Sequence, residues 1–222
     1  MDKIKYTRRH FLNNMALGAG GLVVFGSYGF RIFKDHENNV IKAIRVDFEK
    51  CAGCRTCETA CSAYNHPLTI NGEKLNGIGN PHLSNIKVFH FNPDVDVPVT
   101  CAICDDAPCV EACPVKPHPD TGRKALYRDK DMTIKNDLER CIGCTQCAQA
   151  CEDMRAGVIY PNPETKSPER MCTLCDGDPS CVKNCPFGAL DFLEMPSDRE
   201  LAGLAPEMIA ERLMKKFYNL NV

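Results

Sequence analysis

Tryptophan is missing from this 222-residue chain, and aromatic residues of all kinds make up only 7% of it. The large side chains that usually anchor a hydrophobic core are therefore scarce for a chain of this length. The length itself permits one sizeable domain or two small domains fused tightly together. We therefore expect something other than side-chain packing to help hold the fold.

Several functional signatures are missing as well. With a net charge of -2 and a pI near 6.3, the chain has no basic surface for phosphate backbones, so nucleic acid is not an expected partner. The sequence contains no Ser/His/Asp or Cys/His nucleophile arrangement and no glycine-rich phosphate loop. The histidines lack metal-ligand spacing; they are His10, His36, His66, His82, His90 and His118. No catalytic residue is predicted on this chain.

Cysteine, in contrast, is abundant, with 16 residues that fall into four quartets and none left over. The quartets are Cys51, Cys54, Cys57 and Cys61; Cys101, Cys104, Cys109 and Cys113; Cys141, Cys144, Cys147 and Cys151; and Cys172, Cys175, Cys181 and Cys185. This count points to four sites of one kind.

Disulfides and zinc are two alternative uses for these cysteines. Four thiols within one short loop would form mostly strained rings, because a disulfide needs Cα atoms within about 7 Å and suitably directed Cβ atoms. A zinc ribbon takes one CxxC pair from each of two knuckles, which leaves the third and fourth cysteines of every quartet unexplained. Neither alternative accounts for the spacing.

Iron–sulfur clusters account for it better. The first and third quartets have the spacing CxxCxxCxxxC of a bacterial ferredoxin loop, in which three thiolates bind one cluster and the fourth binds its neighbour. The second and fourth quartets have a longer middle loop and precede Pro114 and Pro186, where the ferredoxin run also carries proline. We predict four 4Fe-4S clusters. The spacing alone does not decide which quartets pair.

The predicted fold class is α+β, with two fused bacterial-type 2x(4Fe-4S) ferredoxin-like modules over residues 41–195 that combine short strands, short helices and long ligand loops. Strands are expected near 41–48, 85–91, 132–141, 157–160 and 189–193, and short helices at 58–64, 110–112, 148–153 and 182–184. The segments 62–100 and 114–140, rich in Pro, Gly, Asn and Asp, are predicted to be connecting loops.

Both ends of the chain differ from this region. In the tail 196–222, Ile209, Leu213 and Phe217 lie on one face of a predicted helix that begins near Pro206. We expect this helix to pack on its own domain, with docking on a partner subunit as the alternative.

Residues 1–40 have the pattern of an export signal or N-terminal anchor with its linker. Arg8 and Arg9, between Thr7 and Phe11, resemble a twin-arginine signal, although Asn13 occupies a position where lysine is frequent. The apolar segment 15–30 is shorter than the ~20 residues that span a bilayer, so a cleaved signal and a retained anchor both stay open. The twin-arginine export route carries folded proteins. Clusters would therefore be inserted before export to the periplasm or to the outer face of the cytoplasmic membrane.

Four such quartets behind a twin-arginine signal resemble the electron-transfer subunits of the complex iron–sulfur molybdoenzyme family, which includes dimethyl sulfoxide, polysulfide, tetrathionate and formate systems. The resemblance covers residues 41–194. It implies a subunit of anaerobic respiration that works between a catalytic molybdopterin or tungstopterin subunit and a membrane quinone-reactive or haem subunit. The segments CDDAPCVEACPV and CDGDPSCVKNCPFGAL also look like the iron–sulfur partners of tungsten aldehyde oxidoreductases. Such a partner, or a stand-alone exported polyferredoxin, is the alternative.

The resemblance also implies nested pairing, of the first quartet with the fourth and of the second with the third. The implied ligand sets are Cys51, Cys54, Cys57 and Cys185; Cys172, Cys175, Cys181 and Cys61; Cys101, Cys104, Cys109 and Cys151; and Cys141, Cys144, Cys147 and Cys113. Glu152 departs from the family pattern, because proline often follows the last cysteine, and we expect this glutamate on the solvated surface. Two other functions are weaker hypotheses. A catalyst would need a cluster with an open iron, and no cysteine ligand is missing. A protein whose clusters only stabilise its fold would need one cluster rather than four.

Overall fold

A computed structural model describes residues 40–196 and 200–219 of the chain as a mixture of short strands and short helices. Within these residues the strands are β1 (Val40–Val46), β2 (Pro67–Ile70), β3 (Glu73–Gly79), β4 (Ile86–Asn92), β5 (Val95–Thr100), β6 (Leu126–Arg128), β7 (Ile134–Asn136), β8 (Tyr160–Pro161), β9 (Pro168–Glu169) and β10 (Leu190–Pro196). The helices are α1 (Thr56–Asn65), α2 (Pro108–Glu111), α3 (Gln146–Met154), α4 (Ser180–Lys183) and α5 (Pro206–Tyr218). The predicted signal or anchor lies outside the described residues, apart from Val40.

The described strands pair in sequence as antiparallel two-stranded ribbons, with one long-range exception. The exception joins β1 to β10, in a register that runs from Val40 opposite Pro196 to Val46 opposite Leu190. The first strand before the cysteine loops therefore pairs with the last strand after them. This ribbon brings the first and fourth quartets to the same end of the fold.

Buried side chains form three clusters. The first packs Ile41, Ile44, Ile86 and Leu190 around cysteines of the first and fourth quartets. The second packs Leu126, Ile134 and Ile159 around cysteines of the second and third quartets. Cysteines are thus part of both cores, as the shortage of aromatic side chains suggested.

The third cluster contains no cysteine and lies under the C-terminal helix. Ile209 and Leu213 of α5 are buried against Val95 and Val97 of β5, and Phe217 packs at the edge of the same cluster. The prediction of a helix from Pro206 that packs on its own domain is confirmed within residues 200–219.

The predicted short helices and strands are confirmed with shifted ends, but the prediction of connecting loops over 62–100 and 114–140 is wrong in part. The ribbon of β2 and β3, the strand β5 and the short strand β6 all lie within these segments. Turn-rich composition concealed them, because Asn71–Gly72 and Pro93–Asp94 mark the tight turns of hairpins rather than extended loops.

None of the helices within residues 40–196 and 200–219 has both the length and the apolar composition that a membrane span requires.

Candidate functional site

All sixteen cysteines carry free thiols. Twelve of them line three cavities, in groups that combine three members of one quartet with one member of another, and the remaining four make up the same combination. We name the groups set A (Cys51, Cys54, Cys57, Cys185), set B (Cys172, Cys175, Cys181, Cys61), set C (Cys101, Cys104, Cys109, Cys151) and set D (Cys141, Cys144, Cys147, Cys113). Sets A, D and C each line one cavity. In set B, Cys181 lies close enough to Cys172, Cys61 and Cys175 to interact electrostatically with all three.

The four ligand loops share one backbone feature. The second residue after the first cysteine of each quartet has a left-handed conformation, with φ +62 at Gly53, +54 at Ile103, +64 at Gly143 and +52 at Leu174. A left-handed residue among right-handed ones turns successive amides toward one concave side, where they attract anionic groups. The amides of Gly53, Ile103 and Leu174 partly offset the rise in pKa that burial causes at the first thiol of their own quartets.

Two helices each supply cysteines to two different sets. Helix α1 carries Cys57 of set A and Cys61 of set B, and α3 carries Cys147 of set D and Cys151 of set C. Residues four apart lie on the same face of a helix, about 6 Å apart along its axis. Each helix therefore links two neighbouring sets.

Other contacts extend this linkage into a series. Cys57 of set A is an electrostatic neighbour of Cys181 in set B. Cys101 of set C is a neighbour of Cys172 in set B, and Cys109 of set C is a neighbour of Cys147 in set D. The sets therefore follow one another in the order A, B, C, D.

Only the sets at the two ends of this series contain an exposed cysteine. These residues are Cys54 of set A and Cys144 of set D, while the other fourteen are buried or half-buried. Phe187, 51% exposed, lines the cavity of set A, and Ile142, 68% exposed, lines that of set D. Apolar surface thus accompanies the accessible cysteine at each end.

Burial controls the proton affinity of the inner cysteines. It raises the pKa of Cys57 and Cys109 to about 12, and that of Cys147 and Cys172 to about 11. Burial also raises the pKa of Cys101 and Cys181 far above its ordinary range. These thiols are protonated at neutral pH without a bound cation, so metal uptake must release protons.

Hydrogen bonds from neighbouring segments reach several of the sulfur atoms. The Asn85 amide and the Asn65 side chain donate to the sulfur of Cys61 at 3.3 and 3.4 Å. The Ala189 amide donates to the sulfur of Cys185 at 3.3 Å. Donors of this kind stabilise thiolates and tune the potential of a bound cluster.

Glu58 is a buried residue of the site that the sequence analysis missed. Its carboxylate, on a side chain only 1% exposed, accepts a hydrogen bond from the Val88 amide at 2.7 Å and pairs with the Arg55 guanidinium at 2.9 Å. These contacts fix α1, with its two cysteines, against β4. Charged residues are usually exposed, so a glutamate at this position gave no indication that its side chain would be buried. Glu152, in contrast, is exposed as predicted.

The residues of sets A, C and D fit a 4Fe-4S cluster. A cubane takes one thiolate on each of its four irons, and sets A, C and D each place four sulfur atoms around an empty space. The sulfurs surround these spaces instead of meeting at one point, and within residues 40–196 and 200–219 no three His, Cys, Asp or Glu side chains are close enough to hold a single metal ion. The backbone amides of Asn85 and Ala189 donate hydrogen bonds to the sulfurs of Cys61 and Cys185, as donors around bound clusters do.

Comparisons with known proteins agree with this geometry. No protein-family model matches the chain. The polyferredoxin-like subunit of an aliphatic sulfonate oxidoreductase from Pyrococcus furiosus is 35% identical over 152 residues, which cover 68% of this chain and 76% of that protein. The thiosulfate reductase electron transfer subunit PhsB of Salmonella typhi is 34% identical, over 66% of this chain and 72% of its own length. The ferredoxin-like protein YdhX of Escherichia coli is 31% identical, over 85% of this chain and 80% of its own length.

Among solved structures, the active site complex BamBC of benzoyl coenzyme A reductase contains a chain that is 25% identical, with 80% of this chain and 93% of that chain covered and a TM-score of 0.36. A TM-score this low adds nothing to the fold described above. The sequence relatives, by their extent and identity, confirm the predicted family. The chain belongs to the ferredoxin-like iron–sulfur subunits that transfer electrons within oxidoreductases.

Proposed function

We propose that sets A, B, C and D each hold one 4Fe-4S cluster, so that the chain consists of two fused ferredoxin-like modules. Sets A and B would form one module and sets C and D the other. The observation that carries this proposal is the exchange of the fourth cysteine within each pair of quartets, through Cys185 and Cys61 in one pair and Cys151 and Cys113 in the other. Such an exchange is the ligation pattern of two-cluster ferredoxins.

When bound, clusters of this type supply one-electron oxidation and reduction, at potentials between about -700 and +450 mV. The chain's own residues bind and order them. Cys54 and Cys144 bring the two ends of the series to the surface, while the buried cysteines of sets B and C keep solvent from its middle. This arrangement supports passage of electrons from one end of the chain to the other.

We further propose that the partners are a catalytic pterin-containing oxidoreductase subunit at one end and a membrane quinone-reactive or haem subunit at the other. Exposed Phe187 and Ile142 beside the terminal sets give both ends an apolar contact surface. The relative from Salmonella typhi is itself named an electron transfer subunit of a reductase, which supports a catalytic partner. The twin-arginine pattern around Arg8 and Arg9 supports assembly on the periplasmic side.

A second candidate has the same chain serving an aldehyde-oxidoreductase-type enzyme without a membrane subunit. The segments CDDAPCVEACPV and CDGDPSCVKNCPFGAL, which look like the iron–sulfur partners of tungsten aldehyde oxidoreductases, favour this candidate. The two candidates differ in the fraction of the cell that should contain the complex.

Anaerobic purification of the native complex tests these proposals. We expect about sixteen iron and sixteen sulfide atoms per chain, four of each per cluster, together with a pterin-containing subunit. Recovery from solubilised membranes with a quinone-reactive or haem subunit supports the first candidate, and recovery from the soluble fraction with the pterin subunit alone supports the second. A lone chain without any pterin-containing subunit would contradict both. Zinc in place of iron would contradict the cluster assignment itself.

A further inference from the structure

Set C has a fixed positive charge beside one of its sulfur atoms. Arg155 follows α3 directly, its side chain is 31% exposed, and its guanidinium pairs with the Asp106 carboxylate. The charge of the same guanidinium acts on the thiol of Cys104. Arg155 also lines the cavity that set C surrounds.

The C-terminal segment covers this contact. A Cβ atom on Gly203 would lie 3.0 Å from Cδ of Arg155 and 3.5 Å from Sγ of Cys104, so the backbone at Gly203 rests on both side chains. Gly203 has φ +74, a conformation that favours glycine. The cover keeps water away from this side of the pair, and a charge acts more strongly in such a low-dielectric setting.

Set A also has an ion pair beside it, and Arg55 of that pair lines its cavity. The carboxylate of Glu58, the residue after Cys57, is buried, and its Arg55 partner has a side chain that is 52% exposed. Solvent screens the exposed guanidinium more than the buried carboxylate. The less exposed member of the pair is therefore the carboxylate at set A, whereas at set C it is the guanidinium.

We propose that Arg155 is a positioning residue that raises the reduction potential of the cluster in set C, and that Asp106 moderates this effect. The inference rests on the proposed function, because it requires a cluster in set C. Reduction adds one negative charge to a cluster. A guanidinium remains protonated at all relevant pH values, so its charge stabilises the reduced state throughout that range. Removal of the Asp106 charge would leave the guanidinium less neutralised and raise the potential further.

The test is an EPR-monitored redox titration of the full-length, cluster-loaded protein. In Arg155→Gln we expect one EPR signal to shift to a lower reduction potential by about 59 mV or more. For a one-electron couple, this shift corresponds to a tenfold change in the ratio of reduced to oxidised cluster. In Arg155→Lys the shift should be smaller, because the charge remains while the planar fork is lost. In Asp106→Asn the same signal should shift to higher potential. Cys104→Ser identifies the signal of set C as the one that it alters.

Arg212→Gln is the matched control, since Arg212 lies on α5, pairs with Glu200 at 4.0 Å and is 47% exposed. It should leave all four potentials unchanged. A second guanidinium, that of Arg128, donates to the carbonyl of Cys104 and should keep the loop ordered when Arg155 is replaced.

The proposal is overturned if Arg155→Gln leaves the set C signal in place, moves all signals equally or moves a signal that Cys104→Ser does not alter. If Arg155→Gln fails to assemble, Asp106→Asn decides alone, and no upward shift overturns the proposal. Iron and sulfide analysis of the unmutated protein separates the two levels of inference. A low iron count there contradicts the proposed function, whereas full loading with an unmoved potential contradicts only the role of Arg155.

Discussion

At the scale of single residues, the ligand loops depend on backbone conformations that few side chains tolerate. Gly143, in the loop of set D, has φ +64, and a Cβ atom there would lie 2.6 Å from the carbonyl oxygen of Thr165. Two constraints therefore act on one position. The conformation disfavours any side chain, and the neighbouring backbone leaves no room for one.

We predict that Gly143→Ala releases or weakens the set D cluster, because the loop must move away from Thr165 to admit the methyl group. Gly122→Ala is the matched control, since Gly122 has φ +65 but no atom within 4 Å of a Cβ. The control should lower the free energy of unfolding by about 1–2 kcal/mol, the cost of a left-handed alanine, with full iron content. Iron analysis and thermal unfolding measure both effects. Equal behaviour of the two variants would show that the contact with Thr165 is unimportant.

The cysteines themselves could be predicted from the sequence, but not every loop conformation. Glycine marks the left-handed position at Gly53 and Gly143, whereas Ile103 and Leu174 occupy the same position in the other two loops. Both side chains are buried in the first core cluster, 0% and 5% exposed. Their burial offsets the backbone strain, and such compensation leaves no trace in the local sequence.

At the scale of elements, α5 is held by its apolar face on β5. Leu213 is 6% exposed and packs with Ile209 against the buried valines of β5. We predict that Leu213→Ala lowers the free energy of unfolding by about 2–5 kcal/mol through lost burial and a cavity. Met208→Ala, on the same helix but 48% exposed, should change it by no more than about 0.5 kcal/mol. Thermal unfolding under anaerobic conditions compares the two variants, and similar losses would mean that α5 is not anchored through this face.

Element prediction succeeded where apolar periodicity was strong and failed where turn residues dominated. The face of α5 was evident from Ile209, Leu213 and Phe217. Strand β5 was concealed because Pro98 lies inside it, and proline is uncommon within strands. The pairing of β1 with β10 joins segments separated by most of the described chain. Local sequence patterns predicted both strands but could not indicate that the two strands pair with each other.

At the scale of the whole molecule, cysteines that are distant in the sequence line the same cavity, as Cys54 and Cys185 do in set A. We predict that Cys54→Ser and Cys185→Ser alter the same EPR signal, because both residues line the cavity of set A. Cys144→Ser and Cys113→Ser should likewise share a signal, that of set D. Sequential pairing of the quartets makes a different prediction, in which Cys54 shares its signal with Cys113. EPR spectra of the four reduced variants therefore decide between the two topologies, and a signal common to Cys54→Ser and Cys113→Ser would exclude nesting.

The family resemblance implied this nesting, and the structure brings together the same cysteines. Spacing within the quartets could not have supplied it, since each loop is compatible with either partner. The choice is made by long-range contacts such as the β1–β10 ribbon, which depend on the complete fold.

Helices α1 and α3, which each carry cysteines of two adjacent sets, set a fixed length scale for the relay. The rise of a single helical turn is fixed by the backbone and hardly varies with the side chains around it. Electron tunnelling rates depend steeply on distance. A fixed spacing would therefore preserve the rate of electron transfer between the two sets of each module, even where surface residues differ among relatives. Relatives could then acquire new docking partners or new potentials without losing the speed of internal transfer.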